Sequence, residues 1–130
     1  MWKLLPVLSG LFLLSACEYI RPDNSVSAEQ VQAEEERPTI FVYVTGTVEA
    51  DRMNCAIQNM AYVTAYKNID VTIYYFSSTK ELIRAEQHLL DVTAAPSAVT
   101  QYLLAINQPP INFSSIYVSV KNAEPVSAQP

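Results

Sequence analysis

Few side chains in this sequence are equipped for covalent or metal chemistry. Its 130 residues hold two cysteines (Cys17 and Cys55), one histidine (His88) and two glycines (Gly10 and Gly46). One imidazole cannot supply the two or more ligands of a His-rich zinc site. Two distant glycines cannot build a phosphate-cradling loop or a dinucleotide turn. A nucleophile–base pair of Cys55 and His88 can be drawn, although the sequence shows no third group to orient it. The densest polar set is Thr45, Gly46, Thr47, Glu49, Asp51 and Arg52. On a loop leading into a helix N-terminus, it would hold a small polar or anionic ligand on backbone N–H groups. Read plainly, Gly46 permits a turn and Asp51 caps a helix. Glu49 and Asp51 lack the apolar setting that would split two carboxyls into an acid and a base. Neither metal nor cofactor is expected.

The elements that must position these groups read as α/β. The β-branched and aromatic runs Thr39–Thr45, Asp70–Phe76 and Ser114–Val120 predict strands. Three-and-four spacing at Met53, Ile57, Met60, Ala61 and Thr64 predicts a helix over Asp51–Lys67, ended by Asn68. A capping-box pattern at Ser78–Glu81 opens a second helix through Leu90, which places His88 at mid-helix. Pro96 opens a third, to Ile106. The order β-α-β-α-α-β implies right-handed crossovers and a mainly parallel three-stranded sheet, order 2-1-3, in two or three layers over residues 38–122. In such a sheet the ligand position follows the first strand, at the Thr45–Arg52 set. Seven tyrosines (Tyr43, Tyr62, Tyr66, Tyr74, Tyr75, Tyr102, Tyr117) divide between the core and an exposed protein-binding patch.

The N-terminal residues carry an address. A basic start, Met1-Trp2-Lys3, precedes the apolar run Leu4–Leu14, about half the ~20 residues that a spanning helix needs. The run ends in Leu14-Ser15-Ala16-Cys17, which resembles the lipobox of bacterial lipoproteins. The resemblance implies that residues 1–16 are a signal peptide, and that Cys17 is acylated and becomes the first mature residue. Two or three acyl chains, each buried CH2 contributing ~0.8 kcal/mol, would anchor the chain to a membrane. In that family Asp after the Cys often marks inner-membrane retention, so Glu18 implies the outer membrane, facing the periplasm. With Cys17 acylated, Cys55 has no partner within the chain and is buried, reactive or paired with another chain.

Charge divides the mature chain. Residues 17–37 read as an acidic flexible tether: Glu18, Asp23, Glu29, Glu34, Glu35 and Glu36 stand against Arg21 up to residue 36. A short helix from Ser27 is compatible with its capping-box-like start. Residues 37–125 are close to neutral, and 123–130 read as a polar tail. The net charge of −5 argues against nucleic acid as a partner.

Thr39–Phe76 resembles the opening of DsrE-type sulfur-relay proteins, with a hydrophobic strand, a loop, an Ala-rich helix and a second strand. Members active in sulfur transfer carry a Cys near the end of a later strand. The residues after Val120 here have none, so the resemblance implies a fold and not persulfide chemistry. The expected function is therefore a non-enzymatic, lipid-anchored, periplasm-facing module that binds an envelope protein. The alternative is a small-ligand-binding or thiol-active protein using the Thr45–Arg52 set or Cys55.

Overall fold

The computed structural model describes residues 26–126; Cys17 and the expected lipobox and signal peptide lie outside them. Burial alternates with period two along much of this stretch, the signature of strands with one face inward. Among the described residues two helices, α1 (Ala28–Glu36) and α2 (Pro38–Phe41), precede six strands. These are β1 (Val42–Glu49), β2 (Arg52–Asn59), β3 (Ala65–Phe76), β4 (Leu82–Leu90), β5 (Ala98–Ala105) and β6 (Ser115–Val126). They form two three-stranded sheets, β1-β2-β5 and β4-β3-β6, and every pairing is antiparallel. The inner faces share one core. Val42, Met53, Cys55, Ile57 and Leu104 come from the first sheet, and Ile69, Val71, Ile73, Tyr75 and Val118 from the second.

This corrects the expected parallel α/β domain, its 2-1-3 strand order and its likeness to DsrE-type folds. Each predicted helix failed for an identifiable reason. In β2 the buried positions Met53, Cys55, Ile57 and Asn59 alternate, but the apolar loop after it (Met60, Ala61, Val63) adds hits at helical spacing. In β5 the outward-facing Val99 and Leu103 are apolar and exposed, so apolar residues on both faces mimic an i, i+3, i+4 pattern. In β4 the pattern is inverted. Its inward row is Arg84, Glu86 and His88, register partners of buried Tyr75, Ile73 and Val71, while Ala85 and Leu89 point outward. The Ser78–Glu81 capping pattern instead belongs to a turn, in which the Ser77 hydroxyl accepts from the Thr79 and Glu81 amides.

Local signals held where they concerned backbone conformation. Asn68 adopts a left-handed φ of 48°, not at a helix end but where β3 shifts register against β6 between Lys67 and Asp70. The two ends also move. The short helix compatible with the expected tether forms over residues 28–36, capped by Ser27, and β6 runs to Val126, past the expected limit at 122.

Candidate functional site

The Thr45–Arg52 set is a hairpin end, not a ligand loop before a helix. Thr45, Thr47 and Glu49 are exposed positions of β1, Asp51 lies in the two-residue turn, and Arg52 opens β2. Arg52 Nε and Asp51 Oδ1 are 4.0 Å apart and both side chains are largely exposed, a contact worth little in water. Gly46 faces inward. A Cβ there would lie 2.5 Å from Met53 Sδ, so the missing side chain is what lets the Met53 thioether cross β1.

Cys55 and His88 do not form a pair. Cys55 is fully buried in β2 and its thiol lies 3.8 Å from the Met53 carbonyl oxygen. Burial pushes the thiol up to about 11, away from the thiolate needed for nucleophilic chemistry. His88 belongs to the other sheet, on β4, with Nε2 3.1 Å from Glu86 Oε1. Glu86 also pairs with Arg84 Nη2 at 2.7 Å, and Arg84 donates to the Gln108 carbonyl at 2.6 Å. The Arg84 guanidinium lies 5.1 Å from the centre of the Tyr75 ring. Inward charges on an edge strand discourage pairing with other chains, which accounts for a polar row on a core-facing side.

Sequence reasoning missed the role of Glu34. Its side chain is fully buried. Its two carboxylate oxygens accept from the amides of Tyr62 (2.7 Å), Val63 (3.1 Å) and Thr64 (3.0 Å), and from Gln30 Nε2 (2.8 Å). Burial pushes the carboxyl up, but hydrogen bonds from Gln30, Tyr62, Thr64 and Val63 together outweigh it and hold Glu34 below its ordinary range. The Tyr66 hydroxyl donates to the Glu34 carbonyl. Burial, then the charges of Glu34 and Glu35, push that phenol up to about 12. Asn59 completes the frame. Its Oδ1 accepts from the Ala61 amide, and its Nδ2 donates to the Thr64 and Ala94 carbonyls.

The loop 60–64 is thus held by buried polar groups while Met60, Tyr62 and Val63 face out. Met60 is 53% exposed and Tyr62 65%. Together with Val99, 57% exposed, they border a hollow of about 350 Å³ floored by Gln58, Asn59, Ser97 and Ala98. Cross-strand register sets Tyr43, Gln58 and Val99 in one row, so exposed Tyr43 extends this patch to the β1 edge. There a second groove, about 380 Å³, runs between β1 (Val42–Gly46) and β6 (Ile116–Val120). The signal available in the sequence was the loop's composition, Met-Ala-Tyr-Val, apolar where a connection should be polar.

Compared with known proteins, the chain matches no family model, no curated protein and no solved structure.

Proposed function

We propose that this chain is a non-catalytic protein-interaction module, held at a membrane through acylated Cys17 and facing the periplasm from the outer membrane. The observation that carries the interaction reading is the loop 60–64, whose Met60, Tyr62 and Val63 side chains stand exposed on a backbone fixed by Glu34 and Asn59. Exposed Met and Tyr bury large areas on binding, and their fixed backbone loses little main-chain entropy. An uncharged surface from Met60 and Tyr62 through Val99 to Tyr43 has the aromatic, charge-depleted character of an interface centre. Against the thiol-active alternative stands the buried, high-pKa Cys55.

The test is in-cell photocrosslinking from position 62, with position 87 on the outer face of β4 as control. One defined envelope protein should be captured from 62 and not from 87, and Met60→Glu should abolish capture without lowering thermal stability. Equal capture from both positions would sink the reading. The anchor has a separate test: Cys17→Ala should abolish both acyl labelling and membrane fractionation.

A further inference from the structure

The four sheet edges differ in how they are guarded. β4 carries Arg84, Glu86 and His88 on its inner side. β6 carries Lys121 and Pro125, and two register shifts. Lysine, proline, bulges and inward charge all blunt an edge against strand pairing. β5 (Ala98–Ala105) is uncharged and lacks proline, and its first residues, Ala98 and Val99, border the hollow beside loop 60–64. β1 is uncharged and grooved: β6 lies close along its free side but pairs with none of its residues. From Val42 to Val48 it has no charge and no proline.

Ladder geometry shows what β1 offers. The Met60 amide donates to the Phe41 carbonyl at 2.8 Å, in the same register as the β1–β2 pairs. Hydrogen-bonded pairs alternate with non-bonded ones in an antiparallel ladder. Tyr43, Thr45, Thr47 and Glu49 therefore bond to β2, whereas Val42, Val44, Gly46 and Val48 direct their N–H and C=O away from it. Three of these four (Val42, Val44 and Gly46) line the groove, and no strand of the described residues pairs with β1 on that side.

We infer that β1 takes an extended segment of a partner protein as an added strand, and that this segment is uncharged over the residues pairing with Val42–Gly46. The inference rests on the interaction reading above and names the partner's chemistry. Strand addition draws affinity from main-chain hydrogen bonds and specificity from pockets for alternate side chains. Here every second partner side chain would enter the groove beside Ile116, Val118 and Val120. None of the residues lining the groove is an acid or a base, so a partner charge would be desolvated there with no counter-charge. Neutral β-branched side chains fit this lining.

The test uses the full-length Cys17→Ala chain, isotopically labelled, and a blocked heptapeptide of alternating Thr and Val. Saturating peptide should slow amide exchange at least tenfold at Val44 and Gly46, and leave exchange at Thr45 unchanged. A peptide with Lys and Glu at alternate positions should bind at least tenfold more weakly, and a fully N-methylated copy should give no protection. Absence of protection at millimolar peptide would overturn the inference, as would equal protection by the N-methylated copy. Protection appearing without peptide, together with a dimer in sedimentation, would overturn it in favour of a second copy. Capture from position 62 in cells without peptide protection at β1 would also overturn it, while leaving the interaction module intact.

Discussion

Glu34 occupies the last turns of α1, where the helix field disfavours a carboxylate, and it is fully buried as well. Three backbone amides and Gln30 compensate both costs. Glu34→Gln keeps the size but removes the charge and one acceptor oxygen. It should lower unfolding free energy by about 3 kcal/mol, measured by urea denaturation. The sign of the pH dependence follows from the lowered pKa. The contribution is full above the ordinary carboxyl value of 4.5 and is lost as pH falls through the native one. Urea midpoints of the native chain should therefore drop below about pH 4.5, and the Glu34→Gln variant should lose that part of the drop. Cys55 gives an independent residue-scale check. Native protein at neutral pH should resist a chromogenic disulfide reagent, and unfolding should release one reactive thiol from this position.

At the scale of elements, the β1–β2 connection is strained. Ala50 has φ 55°, a region that favours glycine. Ala50→Gly should stabilise the chain by about 0.5–1 kcal/mol in the same denaturation assay. The inward row of β4 makes a two-sided prediction. Replacing Arg84, Glu86 and His88 together by Val should leave the monomer as stable or more so, but sedimentation should show self-association through the newly unguarded edge. The same row explains much of what was illegible in the sequence. Strand existence was readable at β1, β3 and β6, where β-branched and aromatic residues run together. Order and type were not. β4 hides its alternation by facing charge inward, and β5 by facing Val99 and Leu103 outward. The candidate site fared in the same way. Thr45 and Gly46 were singled out and do line the β1 groove, yet as a loop holding an anion on its N–H groups before a helix and not as part of a strand edge. Exposed tyrosines were anticipated as a patch, while the buried carboxylate that frames it was assigned to a solvated charge run.

For the whole molecule, α1 is part of the folded unit. A chain beginning at Pro38 would lack Glu34 and leave the amides of Tyr62, Val63 and Thr64 without their acceptor. It should unfold at lower urea than one beginning at Val26, by at least the Glu34→Gln difference. The pairs that define the fold are far apart in sequence, such as Tyr66 with Pro125 and Arg52 with Ala105, so refolding should be slow for the chain's size. The position of Glu34 has one more consequence, and it is mechanical. A pull on the N-terminal end reaches α1 before any strand, and the load falls on the three amide hydrogen bonds from loop 60–64 to one carboxylate and on that of the Tyr66 hydroxyl to the Glu34 carbonyl. Under tension this clasp should open first, releasing the backbone of loop 60–64 while both sheets hold. Force spectroscopy should show a short early extension before the main rupture, and that early event should vanish in Glu34→Gln. Such a domain would present its apolar loop in one shape at rest and lose that shape when drawn away from its anchor.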